Sequence, residues 1–498
     1  MTTDNLWLAF DIGTTATKAA LLTNEGVIIR SVSKEYPLYA AEGGVVEQNA
    51  EDWWKAAIEA CRELLQDRDA DKIAHIAITG QMQDVILVDA AANSVYPVIL
   101  YSDTRARAEA DEINQKIGAD RLRDLTGNEQ DAGSLLAKLL WLMRHQPAVL
   151  ASAHHLLLGA ADFIALKMTG RAVTDSTTAA TTGLMNLHER ATLDHAVFQE
   201  IGITGVGALL PKISSGGTEI GKLSDVAAAL LGIKASIPVH HGPGDAGAAT
   251  LGAGSGEAGR VYAYLGTSGW IAFTSSERAS AEQGAFTLAH PKNGAYIQIA
   301  PLLTAGGNLE WVRDLFGDDD YDTMIAKALQ RPPSSLLYLP YLSGERSPFR
   351  DPMARGAFIG LNIRTHKEDC YRAVLEGVVF AYRQCMDTLL KTPVDTLVIT
   401  GGGTRSQLWC QLFADITQIP VAIAADAENV GVRGAVLAAR VASGDLTTYA
   451  VEGYFPVKMT LQPDPQYASH FDRQYLRFQA LYPALRSTFA EMTEPQSE

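Results

Sequence analysis

The chain has 498 residues, enough for roughly two to four domains, and its 47% hydrophobic and 20% charged residues are typical of a globular protein. A formal net charge of −16 argues against binding to the phosphate backbone of nucleic acids, which requires a basic face. The four cysteines form no Cys-x-x-Cys pair and no apolar run reaches the ~18 residues of a membrane span, so we expect a cytoplasmic protein with reduced thiols and no membrane contact.

The first predicted elements are three strands, a helix and a further strand. Apolar runs bounded by turn residues predict strands over Leu6–Phe10, Ala16–Leu22 and Val27–Val32. An apolar face at helical spacing predicts a helix over Asp52–Leu65, and Ile73–Thr79 is again a strand. Similar strands recur in the second half: Val261–Leu265, Trp270–Thr274, Ala295–Ala300 and Thr396–Thr400.

This repeated order predicts an α/β protein made of two domains of similar plan. The small, glycine-rich stretch Gly252–Gly256 is the expected boundary, which gives domains over residues 1–252 and 258–485. Residues 486–498 are expected to form a tail.

Two loops of one type lie half a chain apart. Asp11–Lys18 follows the first strand with the order Asp-Ile-Gly-Thr-Thr-Ala-Thr-Lys, and Leu265–Gly269 reads Leu-Gly-Thr-Ser-Gly. Backbone N–H groups and hydroxyls in such turns wrap oxyanions. Facing each other, the loops would bind a nucleotide polyphosphate from both sides, with Asp11 holding the accompanying Mg²⁺. The alternative is a pair of ordinary hairpin turns.

Asp245 lies in a glycine-rich turn between a strand and a helix. The spacing Gly242-x-Gly244-x-x-Gly247 matches a dinucleotide fingerprint, which would indicate a nicotinamide-dependent oxidoreductase. We reject that interpretation because Asp245 would repel the pyrophosphate. A carboxylate here suits a general base acting on a substrate hydroxyl, and a simple helix N-cap is the alternative.

Further polar turns follow predicted strands. Gly401–Ser406 begins with three glycines, which let the backbone pass against a flat group such as adenine or ribose, although a tight strand-to-helix turn fits equally well. Thr79–Asp84 and Tyr101–Arg105 offer amide, carboxylate and guanidinium groups that suit a polyol, or are merely polar loops.

Together these motifs resemble the FGGY carbohydrate kinases, and within them the xylulose kinases, over about Leu6 to Tyr475. The resemblance also rests on the following segments: Gly80-Gln81-Met82, Asp103-Thr104-Arg105, Gly244-Asp245 and Tyr338–Pro348.

The resemblance implies two actin-like (ribonuclease-H-like) domains with the active site in the cleft between them. It implies ATP-dependent phosphorylation of a sugar hydroxyl with Mg²⁺, and D-xylulose is the best single candidate. Another ketopentose, a pentitol or gluconate is the alternative substrate, and a non-catalytic actin-like ATPase switch is the alternative of another class. The expected partners are the sugar and ATP, and a homodimer is the oligomeric state to test.

The resemblance also assigns residues. It implies that Asp245 is the catalytic base and that Asp11 supports Mg²⁺ and activity. The sugar would contact Gln81, Met82, Gln83, Asp103 and Arg105. ATP would contact Thr14, Thr15, Lys18, Gly266, Thr267, Gly307, Gly402, Gly403 and Ser406. Two departures fall at the sugar pocket, since the xylulose kinases usually have His where this chain has Gln83 and Trp-Asn where it has Tyr101-Ser102.

Overall fold

The structure, a computed structural model, describes residues 5–66, 69–279, 284–317 and 320–493. The strands of the N-terminal half are β1 (Leu6–Ile12), β2 (Ala16–Leu22), β3 (Ile28–Glu35), β4 (Tyr39–Ala41), β5 (Val45–Gln48), β6 (Ile73–Gly80), β7 (Met82–Val88), β8 (Val98–Ile99), β9 (His155–Gly159), β10 (Val173–Asp175), β11 (Met185–Asn186), β12 (Ala191–Thr192), β13 (Lys212–Ser214), β14 (Thr218–Lys222) and β15 (Pro238–His241). Its helices are α1 (Ala50–Leu65), α2 (Arg107–Ile117), α3 (Ala119–Thr126), α4 (Leu135–His145), α5 (Pro147–Ser152), α6 (Ala160–Thr169), α7 (Ser176–Thr181), α8 (His195–Ile201), α9 (Asp225–Leu231) and α10 (Asp245–Gly252).

The C-terminal half continues the same alternation of strands and helices. Its strands are β16 (Val261–Leu265), β17 (Gly269–Ser275), β18 (Phe286–Ala289), β19 (Tyr296–Leu302), β20 (Leu337–Leu339), β21 (Ala357–Ile359), β22 (Leu397–Thr400), β23 (Val421–Ala424) and β24 (Val457–Leu461). Its helices are α11 (Gly307–Phe316), α12 (Tyr321–Gln330), α13 (Lys367–Leu389), α14 (Gln407–Thr417), α15 (Val430–Ala442) and α16 (Pro465–Thr493).

The two central sheets share one plan. The first has the order β14-β15-β6-β1-β2-β3 and the second β18-β19-β17-β16-β22-β23-β24. In the first sheet β1 pairs parallel with β6 and antiparallel with β2, and β16 pairs in the same way with β22 and β17. The predicted strands are confirmed, and β1 continues two residues beyond the predicted end, so that Asp11 is its penultimate residue.

Strand β1 is buried on both faces because different helices cover them. Side chains of a strand alternate between faces, and Leu8 and Phe10 pack in a core with Trp53 and Phe163 of α1 and α6. The opposite face, which includes Trp7, packs against α15. Helix α15 therefore completes the N-terminal domain although it lies far along the chain.

Helix α10 does the opposite: it belongs to the N-terminal half of the sequence and packs on the C-terminal sheet. Its Ala249, together with Ala253 just beyond its end, packs on the C-terminal sheet with Tyr262 and Ala272. Each sheet is thus covered on one face by the helix that belongs to the other half of the sequence.

The two exchanged helices cross at close range. A Cβ at Gly434 of α15 would overlap the carbonyl oxygen of Ala248 in α10, and a Cβ at Gly252 would overlap the carbonyl oxygen of Val430. Only glycine permits this approach, since any side chain would separate the helices.

The C-terminus differs from the tail expected over residues 486–498. Helix α16 continues to Thr493, and the ring of Phe489 is buried in the C-terminal core with 4% exposure. Amphipathic spacing at a chain end outweighs the general tendency of termini to be disordered. Residues 494–498 lie outside the described part. Within that part, no helix combines the length and apolarity that a membrane crossing requires.

Candidate active site

Two carboxylates lie where elements of the two halves meet. Asp11 lies near the end of β1, and Asp245 is the first residue of α10. The Asp11 carboxylate occupies the space that a Cβ at Gly431 would need, at the N-terminal end of α15. Each carboxylate therefore lies at the start of one of the two crossing helices, where the helix dipole favours negative charge.

The electrostatics of this pair favour proton transfer. Burial raises the pKa of Asp11, and the opposing charge of Lys18 lowers it. Burial and then the charge of Asp11 raise the pKa of Asp245 to about 7. A carboxylate whose pKa lies near neutral pH is suited to act as a general base. Asp245 is not the N-cap of α10, a position that Gly244 holds, and its Oδ1 accepts from the N–H of Ala246 at 2.6 Å.

The first predicted phosphate loop lies beside Asp11. The N–H of Gly13 donates to the carbonyl of Ala16 at 3.0 Å, which closes the turn, and Thr15 at its tip is exposed. Lys18 is opposite Asp11 in the β1–β2 register and donates to the backbone carbonyl of Glu428. This lysine therefore connects the loop to the chain just before α15.

The second phosphate loop forms one wall of a cavity of about 680 Å³ in the C-terminal domain. Gly266 and Thr267 line it, and their carbonyls accept from the N–H groups of Gly306 and Gly307 at 2.8 and 2.9 Å. The cavity is of the size of a nucleotide site. Gly306 lies on its wall, whereas Gly307 packs behind it against Thr267.

The turn after β22 forms the facing wall. Gly402, Gly403 and Ser406 all line the cavity, and Ser406 Oγ caps α14 by accepting from the N–H of Trp409 at 3.3 Å. A Cβ at Gly402 would meet no atom within 4 Å, so this glycine leaves open space. Sequence reasoning missed Glu310 and Tyr321, which line this cavity from α11 and α12 and belong to no motif. Tyr264 and Arg405 also line it; both lie in or beside a predicted loop but were not assigned to the nucleotide.

A second cavity, of about 390 Å³, lies between the halves at the predicted sugar position. Gln83, Tyr101 and Ser102 line it. The backbone of Gln83 has φ +66°, a left-handed conformation that residues other than glycine rarely adopt. Its side-chain Nε2 donates to the carbonyl of Gly133 at 3.1 Å. Strain of this kind often accompanies a functional position.

Several residues of this second cavity were not predicted. They are Arg107, Asn128, Glu129 and Asp131 from the N-terminal half, and Phe286, Arg346 and Arg350 from the C-terminal half. Because these residues are distant in sequence, only the segment Tyr338–Pro348, which contains Arg346, gave any signal.

Other predicted sugar ligands lie beside the cavity rather than on its wall. Met82 packs against Gly244, next to Asp245. Gln81 is 1% exposed and its Nε2 donates to Gln48 Oε1 at 3.1 Å.

Asp103 and Arg105 bind each other. Arg105 donates to Asp103 Oδ2 at 2.7 Å and to Glu47 Oε1 at 2.6 Å, and its side chain is only 7% exposed. Asp103 Oδ2 also accepts from the N–H of Val46 at 2.7 Å. This buried pair fixes the loop that carries Tyr101 and Ser102.

A Mg²⁺ ion at this site would need ligands beyond the protein. The described residues contain no cluster of three or more His, Cys, Asp or Glu side chains able to enclose a metal. Mg²⁺ is commonly held by one or two carboxylates together with substrate phosphates. Asp11 fits that mode, because it is a single, partly exposed carboxylate directly before the first predicted phosphate loop.

Comparison with known proteins gives the same picture. The N-terminal domain of the FGGY family of carbohydrate kinases matches residues 6–252, and the C-terminal domain of that family matches residues 261–443. A xylulose kinase of Bacillus subtilis is 30% identical over 88% of this chain and 88% of its own, and a gluconokinase of the same organism is 29% identical over 89% and 88%.

The solved structures agree with the sequence matches. A ligand-bound xylulose kinase from Lactobacillus acidophilus superposes with a TM-score of 0.89 at 26% identity, covering 98% of this chain and 100% of its own. The fold is the two-domain, actin-like ATPase type that the family resemblance implied. The chain belongs to the FGGY family of carbohydrate kinases.

Proposed function

We propose that this protein transfers the γ-phosphoryl group of ATP to a hydroxyl of D-xylulose. The observation that carries the proposal is the pair Asp11 and Asp245 at the starts of two crossing helices, in a protein that has a nucleotide-sized cavity in its C-terminal half and a polar cavity between the halves. D-xylulose is the first choice because xylulose kinases recur among the relatives that align over most of the chain.

In the proposed reaction Asp245 accepts the proton of the sugar hydroxyl. The hydroxyl oxygen forms a bond to the γ-phosphorus as the bond to the ADP oxygen breaks. Phosphoryl transfer depends mainly on alignment and charge neutralisation, and Mg²⁺ held by Asp11 would neutralise the phosphates. The phosphates would lie against Thr14, Thr15, Lys18, Gly266 and Thr267.

The nucleoside would occupy the larger cavity, against Gly402, Gly403 and Ser406. Gly307 would act from behind the wall, by holding Thr267. The sugar would contact Met82 and Gln83, while Gln81, Asp103 and Arg105 would support the pocket through their internal hydrogen bonds. A cytoplasmic location and a homodimer remain predictions, and all four cysteines are free and buried, as expected for that location.

A sugar acid is the second candidate substrate. Arg107 and Arg346 line the smaller cavity, and Arg346 stacks at 3.8 Å on Phe286, where a carboxylate could reach it. Gluconokinases also occur among the relatives. These two observations favour gluconate over a pentitol as the alternative.

A coupled assay of ADP release decides between the candidates. It should be run with D-xylulose, other ketopentoses, pentitols, gluconate and glycerol. D-xylulose is expected to give the highest kcat/KM. A preference for gluconate or glycerol over every pentose by about tenfold, or ~1.4 kcal/mol, would overturn the substrate assignment and leave the kinase assignment intact.

The variant Asp245→Asn tests the base. It should fold, bind ATP as before, and lose about 10²–10⁴-fold in kcat because the hydroxyl proton has no acceptor. Asp225→Asn, an exposed carboxylate at the start of α9, is the matched control and should retain full activity. Retention of more than about a tenth of wild-type turnover by Asp245→Asn would exclude Asp245 as the base.

A further inference from the structure

A buried cluster of three charged side chains lies behind the turn that carries Asp245. His241 ends β15, Asp162 lies in the first turn of α6, and Asp175 ends β10, and all three are 0% exposed. His241 Nε2 is 2.8 Å from Asp162 Oδ1, and its Nδ1 is 3.9 Å from Asp175 Oδ2. None of the three lines either cavity.

The partners of His241 fix its charge. Nδ1 lies 2.8 Å from the carbonyl oxygen of Gly242, which can only accept, so Nδ1 carries a proton. Nε2 faces a carboxylate oxygen, so it too must donate, and the ring is an imidazolium. Burial lowers the pKa of His241, but the hydrogen bond and charge of Asp162 and the charge of Asp175 raise it to about 9.

The cluster contacts both ends of the turn. On one side, the His241 ring binds the carbonyl of Gly242. On the other side, Asp175 Oδ2 accepts from Thr178 Oγ1 at 2.5 Å, and that hydroxyl lies 2.6 Å from where a Cβ at Gly244 would be. Gly244 directly precedes Asp245, so both contacts restrict the direction in which the base points.

We propose that the His241–Asp162–Asp175 cluster positions Asp245 for proton transfer by holding the Gly242–Gly244 turn from behind. The inference rests on the proposed function, since it requires Asp245 to be the base. His241 is then a positioning residue, because it acts on the turn and touches neither substrate. Misplacing a reacting group by about 1 Å can cost on the order of 10²-fold in rate, so a small rotation of the turn is sufficient to reduce turnover.

Two variants test the cluster by steady-state kinetics of the full chain. His241→Gln removes the charge and one of the two hydrogen bonds. Thr178→Val is nearly isosteric and removes the hydroxyl between Asp175 and Gly244, while Asp175 Oδ1 keeps its hydrogen bonds from the N–H groups of Thr177 and Thr178. Each variant should lower kcat by about tenfold. The KM for ATP should stay within about twofold of the wild-type value, because the nucleotide cavity is separate from the cluster.

The control is Thr182→Val, at the residue that directly follows α7. Its buried hydroxyl donates to the carbonyl of Ala179 at 2.7 Å and accepts from the N–H of Leu184 at 3.1 Å, and neither partner belongs to the Gly242–Gly244 turn. It should reduce the melting temperature as Thr178→Val does and leave kcat unchanged. The double variant His241→Gln with Asp162→Asn replaces the ion pair by two neutral amides. Its kcat should be at least threefold higher than that of His241→Gln alone.

The outcomes separate the two assignments. An active Asp245→Asn would overturn the base and with it this inference. An inactive Asp245→Asn together with wild-type kcat in Thr178→Val would overturn the inference alone. If His241→Gln does not fold, Thr178→Val and its control decide. Equal losses of kcat in Thr178→Val and Thr182→Val would also overturn it, because both would then reflect general destabilisation.

Discussion

The crossing of α10 and α15 gives a prediction that can be worked from distances. A Cβ built at Gly434 would lie 1.8 Å from the carbonyl oxygen of Ala248 and 2.8 Å from the amide nitrogen of Gly252. Ordinary van der Waals contact begins at 3.4 Å, and both obstacles are backbone atoms that cannot rotate away. The change Gly434→Ala must therefore push the two helices apart.

Two effects of Gly434→Ala oppose each other. On intrinsic helix propensity, alanine is more favourable than glycine inside a helix by about 1 kcal/mol. Overpacking a closely packed contact costs about 1–3 kcal/mol. The upper end applies here because α15 also packs against Trp7 of the N-terminal sheet, so it cannot move away from α10 without disturbing that contact. We expect a net loss of about 2 kcal/mol in the free energy of unfolding.

Turnover should fall as well, because the helices carry the two carboxylates of the cleft. Separation of α10 from α15 moves Asp245 away from Asp11, and we expect a loss of kcat of up to about 10²-fold. Urea unfolding and the ADP-release assay measure the two effects. Gly207→Ala, where a Cβ meets no atom within 4 Å, is the control. A Gly434→Ala protein as stable as Gly207→Ala and fully active would refute the close crossing.

Three further predictions concern single side chains. Asp11→Asn should lower turnover and flatten the Mg²⁺ dependence, and an unchanged Mg²⁺ titration would remove Asp11 from the metal role. Gln83→His should raise kcat/KM for D-xylulose relative to the other sugars, by a ratio equivalent to about 0.5–1.5 kcal/mol. The exposed Gln199→His is the control and should leave that ratio unchanged. The pKa of His241 is raised from an unfolded value of about 6.5 to about 9, so its stabilising contribution is complete below pH ~6.5 and disappears as the pH rises through 9. The difference in unfolding free energy between wild type and His241→Gln should therefore shrink over that range, and a difference independent of pH would contradict the imidazolium.

Local patterns were sufficient to predict the elements that carry the chemistry. The strand that carries Asp11, the Gly-Thr loop after β16 and the turn before Asp245 each depend on a few adjacent residues, and the structure has each of these elements at its predicted place, apart from the two residues by which β1 is longer. The strand and helix order of the first half, recognised again in the second, was sufficient to predict the two similar sheets.

Features made by distant residues could not be predicted in this way. The wall of the smaller cavity joins Gln83 to Arg346, and no periodicity connects such positions. Asp103 and Arg105 were read as open polar groups because a sequence does not show that Glu47 lies beside them. The tail was misjudged because burial of Phe489 depends on a core assembled from the whole second half.

The exchange of α10 and α15 has a consequence for synthesis on the ribosome. When residue 252 has been made, the face of the first sheet that includes Trp7 and Ala77 still lacks its cover, since α15 begins at Val430. At about 5–20 residues per second, the missing helix follows roughly 10–40 s later. The nascent first half must remain unfinished for that time, with an apolar surface open to chaperones, and a fragment cut at the glycine-rich boundary would keep that exposed surface permanently.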